Sequence, residues 1–265
     1  MLATTDMSDA AVHPTALVDS SAQLGEGVSV GAYTIVGPGV TIGAGTRLGP
    51  HVLIERDTEI GNDCIIHKGA VLGTDPQDLK YAGEPTRLVV GDRTVIREYA
   101  TLNRGTSAMG YTQIGSDCLF MAYSHVAHDC QVGNHVILSN SVNMGGHVII
   151  GDRAIVGGVT AIHQFVRIGE HAFVGGASRV AKDIPPYVKA AGNPVQLYGL
   201  NSVGLQRRGF SEDVRRELKR AYRLFFASSY NTSQALGRAR DELRSIPEIE
   251  VFLSFFEASE RGVSA

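Results

Sequence analysis

Residues 125–133, HVAHDCQVG, place His125, His128, Asp129 and Cys130 within six positions. Three chemistries suit those residue types. Imidazole, carboxylate and thiolate are zinc ligands when they converge. An imidazole, with an ordinary pKa of about 6.5, exchanges protons at neutral pH, and a neighbouring carboxylate can hold its tautomer. The third option is wall filling, in which a thiol serves as a small hydrophobe. Which applies depends on the elements that position these side chains.

Those elements announce themselves as a repeat. Every sixth residue is apolar from Val12 to Leu72, again at Val90, Ile96 and Leu102, and from Ile114 to Val180. The residue after it is often glycine, as at Gly25, Gly31, Gly133 and Gly169, which suits a tight corner. The residue two before it is small or β-branched, as at Val28, Thr34, Val136 and Ala172. A period of six fits neither an amphipathic helix nor a hairpin meander. Short strands separated by turns do fit, with three strands closing one triangular coil of 18 residues and stacked coils burying an aliphatic column. The reading is a parallel β-helix over residues 12 to about 186; the spacing itself leaves its hand open.

The register decides part of the opening choice. Cys64, Cys118 and Cys130 fall on the small inward position and are expected to pack in the wall. Positions 18 apart lie above one another at about 4.8 Å, so His128, Gly146 and Gln164 form one column. His147 and His163 lie one residue off it, which brings three histidines and Asp129 to one corner. Zinc needs ligands converging to about 2.1 Å, whereas side chains on stacked turns tend to line a groove. Acyl transfer is the other reading: an imidazole takes the proton of a hydroxyl, and backbone N–H groups of a turn such as MGGH, residues 144–147, stabilise an oxyanion.

Composition narrows the classes. With 24 Lys and Arg against 27 Asp and Glu, nothing points to a nucleic-acid partner. No apolar run approaches the ~20 residues of a membrane span, and the start MLATTDMSDA lacks a secretory signal. Three scattered cysteines suit a reducing cytoplasm. No metal or other cofactor is called for.

Two segments break the repeat, residues 73–88 and 103–112, and are expected to be loops on one working face. After DIPPYV, residues 183–188, the period ends, dividing the chain into a β-helix over 1–188 and a helical domain over 189–265. Ser211 is placed to cap a helix carrying Val214, Leu218, Tyr222 and Phe225, Thr232 or Ser233 to start a second, and Pro247 a third carrying Val251, Phe252 and Phe255. Arg207 and Arg208 stand at the entrance, with forked guanidinium groups that suit phosphate.

The repeat together with QDLKYAGEPTRL, HVAHDCQVGN, GGVTAIHQF, DIPPYV and GLQRRGFS resembles the UDP-N-acetylglucosamine O-acyltransferases that begin lipid A synthesis, over nearly the whole chain. The resemblance implies a left-handed parallel β-helix with a C-terminal α-helical domain, a homotrimer, and sites between subunits. It implies a (3R)-3-hydroxyacyl thioester of acyl carrier protein as donor and the 3-hydroxyl of UDP-N-acetylglucosamine as acceptor. It assigns His128 as general base, Asp129 as its orienting group and the Gly146 N–H to the oxyanion. Asp78, Lys80, His125, His147, His163 and Gln164 match positions lining the sugar and acyl site, Asn201, Arg207 and Arg208 the nucleotide contacts, and Gly176 the position that limits acyl-chain length. Val203 and Asn103 stand where some members have glutamate and histidine. Two other activities remain open: the later N-acyltransferase of the same pathway, against which the missing N-terminal uridine-binding domain speaks, and a β-helical zinc hydratase.

Overall fold

The computed structural model describes residues 11–264. Each coil lays one short strand in each of three sheets, so strands 11–12, 29–30 and 47–48 open the first sheet, 17–18 and 35–36 the second, and 23–24 and 41–42 the third. Among the described residues the three sheets hold 11, 9 and 8 strands, and the coils wind as a left-handed parallel β-helix. Pairing is in register along the axis, for example His125 with Thr101 on one side and Asn143 on the other.

The six-residue series is the inner wall. Ile54, Ile66, Leu72, Ile96, Phe120, Leu138 and Val174 are fully buried, each burial contributing about 1.5–3 kcal/mol. Val12 departs from the series at 42% exposure, because no coil of the described chain covers the first one. The three cysteines occupy the wall as expected, and each donates its thiol to the carbonyl of an adjacent coil: Cys64 to Gly91, Cys118 to Gly133 and Cys130 to Gly145, at 3.2, 3.2 and 3.3 Å. Thr34 and Thr46 make the same bond from the same position, at 2.7 and 2.8 Å to Gly49 and Gly61. Burial pushes the Cys118 and Cys130 thiols up to about 11 and about 12, which leaves them inert.

The corner glycines serve a different purpose from the one their position suggested. Left-handed backbone falls two residues later, mostly on non-glycine residues such as Asp129, His147 and Phe165 at φ of 59°, 61° and 65°. Gly31 and Gly133 are required by close approach instead: an added Cβ would stand 2.6 Å from the Gly49 carbonyl carbon and 2.8 Å from the Asp152 nitrogen of the next coil.

Both interruptions leave the helix at one edge. The chain departs after the second-sheet strands 71–74 and 101–103 and returns in the third-sheet strands 87–90 and 111–114. Each replaces a turn without disturbing the coil count, since Ile60, Val90 and Ile114 still align. His128 turns the same edge one coil later.

Beyond residue 186, strand 188–191 extends the first sheet and strand 196–200 pairs antiparallel to it. Helices α1 (Ser202–Arg207), α2 (Glu212–Phe226), α3 (Thr232–Glu242) and α4 (Pro247–Glu257) follow. Ser211 caps α2 by accepting from the Val214 N–H at 3.2 Å, and Pro247 opens α4. α3 starts at Thr232, the first of the two expected positions, and its cap is Asn231, in a reciprocal capping box with Gln234. On α4 the buried face is Ile249, Phe252, Phe255 and Phe256, while Val251 turns outward at 37% exposure. Phe225 meets Phe256 at 4.1 Å between ring centroids, joining α2 to α4, and Phe255 lies under the Arg167 guanidinium at the last third-sheet strand. No described helix is long and apolar enough to cross a membrane.

Candidate active site

The turn after strand 125–126 sets His128 and Asp129 side by side. His128 Nδ1 lies 2.8 Å from Asp129 Oδ2, and the Asp129 side chain is fully buried. Asp129 is held from a second direction by Thr106, whose N–H donates to Oδ1 at 2.8 Å and whose hydroxyl donates to Oδ2 at 2.7 Å. Burial works to raise the Asp129 carboxyl, but the donors on His128 and Thr106 outweigh it, so it sits below the ordinary carboxylate range. A carboxylate accepting from Nδ1–H leaves His128 Nε2 as the unprotonated, basic nitrogen.

The next coil shapes the space around that ring. Gly146 stacks above His128, and a Cβ there would stand 2.5 Å from Cε1 and 2.7 Å from Nε2 of the imidazole. Glycine is therefore the residue that lets the ring lie flat over the following turn. The N–H of Gly146 has no hydrogen-bond acceptor among the described residues, whereas the adjacent His147 N–H donates to the His128 carbonyl at 3.0 Å.

His147 stands edge-on to His128 at 5.2 Å, with Nε2 3.6 Å from Asp129 Oδ2, and stacks on Phe165 at 4.4 Å. Burial holds it below the ordinary imidazole pKa, while Asp129 and Asp78 pull the other way. His125, on the strand before the turn, bonds Thr101 through Nδ1 at 2.7 Å, and burial and the neighbouring His128 lower its pKa. A cleft of about 550 Å³ opens beside Asp129 and His147.

These contacts are the setting for the comparisons with known proteins. A model described as UDP-N-acetylglucosamine O-acyltransferase, domain 2, matches residues 183–264, and the bacterial transferase hexapeptide model matches 21–56, 39–74 and 111–146. An acyl-[acyl-carrier-protein]–UDP-N-acetylglucosamine O-acyltransferase of Myxococcus xanthus is 48% identical over 256 residues, covering 96% of this chain and 99% of that protein. The chain belongs to the UDP-N-acetylglucosamine O-acyltransferase family. Solved members superpose closely: that of Moraxella catarrhalis at a TM-score of 0.94 and 43% identity, covering 96% of this chain and 99% of its own, and that of Arabidopsis at 0.83 and 34%, covering 96% and 100%.

Of the residues that the O-acyltransferase resemblance singled out, His125, His128, Asp129, Gly146 and His147 come together on one edge. Asp78 and Lys80 rise from the first excursion at that edge, with the Lys80 N–H donating to the Asp78 carboxylate at 3.0 Å. His163 shares the corner but not the contacts: its ring is exposed and Nδ1 lies 3.0 Å from the carbonyl of its neighbour Gln164, which is also exposed. The ligand atoms of His128, Asp129 and His147 lie within 4.8 Å of one another, closer than side chains merely lining a groove. The remaining residues are not brought there. Asn201, Arg207 and a cleft of about 600 Å³ lie against the outer face of the first sheet, around Ile155, Phe173 and Lys189. Asn201 is committed within the chain, capping α1 and donating Nδ2 to the His171 carbonyl at 3.0 Å, while Arg208 Nη1 donates to His171 Nδ1 at 3.3 Å. Gly176 lies on a third edge, in the turn between strands 173–174 and 179–180.

Sequence reasoning missed Thr106, Thr101 and Phe165. Thr106 lies in an excursion, where counting in eighteens has no register to follow. Phe165 and Thr101 were within reach of that counting, since Phe165 is 18 residues after His147 and Thr101 pairs with His125.

Proposed function

We propose that the chain transfers a (3R)-3-hydroxyacyl group from acyl carrier protein to the 3-hydroxyl of UDP-N-acetylglucosamine, with His128 as general base. The observation that carries the base is the 2.8 Å bond from His128 Nδ1 to a buried Asp129, which turns Nε2 toward the edge as a proton acceptor. His128 Nε2 takes the proton from the sugar hydroxyl as its oxygen attacks the thioester carbonyl. The tetrahedral oxyanion gathers at the free N–H of Gly146. Collapse breaks the carbon–sulfur bond, and the departing thiolate receives the proton from Nε2. Asp129 supports the imidazolium between those steps.

Asp78, Lys80, His125, His147, His163 and Gln164 line the sugar and acyl site in this reading, and Arg207 and Arg208 take the diphosphate, with Asn201 shaping their cleft. The two groups of residues sit on different sides of one prism. A homotrimer unites them by setting the first-sheet face of one subunit against the His128 edge of the next. Gly176, contributed across that contact, leaves room for a longer acyl chain. The reaction belongs in the cytoplasm, where acyl carrier protein and the nucleotide sugar meet.

The convergence of His128, Asp129 and His147 also supports a zinc-bound water. Against it, Asp129 already accepts three hydrogen bonds, two of which bind it to Thr106. The test is to incubate purified protein with a panel of 3-hydroxyacyl carrier proteins and either UDP-N-acetylglucosamine or its 3-amino or 3-O-acyl counterparts, with metal analysis of the same sample. A 3-O-acyl product from metal-free protein is expected. Product only from an amino acceptor, or activity that tracks stoichiometric zinc, would overturn the proposal.

A further inference from the structure

The segment Asn103–Thr106 touches both halves of the His128 edge and belongs to neither. At one end it grips the excursion that carries Asp78 and Lys80. Asn103 Nδ2 donates to Thr74 Oγ1 at 2.7 Å and to the Asp75 carbonyl at 3.0 Å, and the Arg104 N–H donates to the Thr74 carbonyl at 3.0 Å. Arg104 is a fully buried arginine whose guanidinium bonds the Gly73 carbonyl, the Asp75 carboxylate and, at 3.1 Å, the Tyr81 hydroxyl. A buried guanidinium with these partners fixes its surroundings, because moving Asp75 leaves the charge uncompensated and moving Gly73 or Tyr81 leaves a buried donor unpaired. Asp75 and Tyr81 bracket Asp78 and Lys80 in sequence, so Arg104 ties both flanks of that loop.

At the other end, two residues on, Thr106 closes over Asp129. Its hydroxyl has a defined direction: Oγ1 accepts from the Ala108 N–H at 3.2 Å, which leaves its own proton for Asp129 Oδ2. With the Thr106 N–H on Oδ1, the carboxylate is held at both oxygens, and the lone pair facing His128 is the one left for Nδ1–H.

We infer that residues 103–106 are a two-ended strap, in which Thr106 is a positioning residue for the His128–Asp129 pair and Arg104 a positioning residue for the loop that meets the acceptor sugar. The inference rests on the reading of His128 as base. It makes the two ends separable: one acts on the chemical step, the other on the binding of the sugar nucleotide.

The experiment is steady-state kinetics on the full-length variants Thr106→Val, Thr106→Ser, Arg104→Lys and Arg104→Met, with UDP-N-acetylglucosamine and a 3-hydroxyacyl carrier protein, each checked by thermal melting. Thr106→Val removes one charge-assisted donor and is expected to lower kcat about tenfold with KM for the sugar nucleotide within about twofold. A carboxylate stripped of that donor holds a proton more tightly, so the acid limb of the pH–rate profile moves to higher pH. Thr106→Ser keeps the donor and restores both. Arg104→Lys keeps the charge but loses the fork, and is expected to raise KM about tenfold while leaving kcat and the pH profile in place. Arg104→Met gives the same split if it folds, and Arg104→Lys carries the test if it does not.

Thr106→Val with unaltered kcat and pH profile overturns the inference. So does Arg104→Lys with unaltered KM, or a loss in either variant that follows melting temperature alone. Failure of the underlying reading looks different: His128→Ala would then remain active, whereas an inactive His128→Ala beside a normal Thr106→Val removes only the strap.

Discussion

The edge between the third and first sheets and the edge between the second and third are built from the same turn, yet they use its polar residues in opposite ways. On the first of these edges the side chains form a ladder. Asn62, Asp92, Asn134 and Asp152 accept from the second amide of the neighbouring turn, at Ala44, Asn62, Ser116 and Asn134, all at 2.8–2.9 Å. On the other edge the corresponding amides, of His128, Gly146 and Gln164, have no such partner among the described residues. The imidazole at 128 turns to its own neighbour Asp129, and the turns of the two preceding coils are replaced by excursions that close over it. The ladder adds hydrogen bonds to its edge, whereas on the His128 edge the open amides are, in the proposed reading, left for substrate.

That contrast can be broken by experiments on either edge. The largest effect belongs to His128→Ala, which is expected to lower kcat by about 10²–10⁴ with the melting temperature unchanged. Gly146→Ala comes next. Its methyl group would enter the imidazole at 2.5 Å, so the ring must swing aside, and kcat is expected to fall about 10²-fold while the fold persists. On the ladder edge the outcome reverses. Asn134→Ala leaves the Ser116 amide without its acceptor and is expected to cost about 1 kcal/mol in denaturant unfolding, with kcat unchanged.

The smallest effect concerns pH and lies at His171, on the ladder edge. Burial, then the charges of Arg208 and Arg153, hold His171 down to about 4. The folded chain therefore leaves it neutral while the unfolded chain takes up a proton below about 6.5, so stability declines as pH falls from 6.5 towards 4. His171→Asn, at a left-handed position that asparagine tolerates, is expected to flatten the melting temperature over that window.

The β-helix was legible because its period is carried by every coil; a repeat that places Ile54, Ile66 and Phe120 inward needs no long-range information. The pairing of His128 with Asp129 was legible as adjacent residues at a turn. Thr106 was not, because it reaches Asp129 from an excursion with no period, and its role follows from a hydroxyl direction set by Ala108. His163 shows the opposite limit: a shared corner in the count does not say which way a ring turns. In the tail, the cap Ser211 and the helix-opening Pro247 placed α2 and α4, and α3 begins at Thr232 as read, with Asn231 before it as the cap and Gln234 completing the box.

The most direct test of the account is the turnover of His128→Ala in the presence of a series of small imidazoles of graded basicity. The account predicts a rate that is negligible without them and rises with both their concentration and their basicity, as an external base takes over the work of Nε2. Turnover within a few-fold of the unaltered chain before any imidazole is added would contradict it.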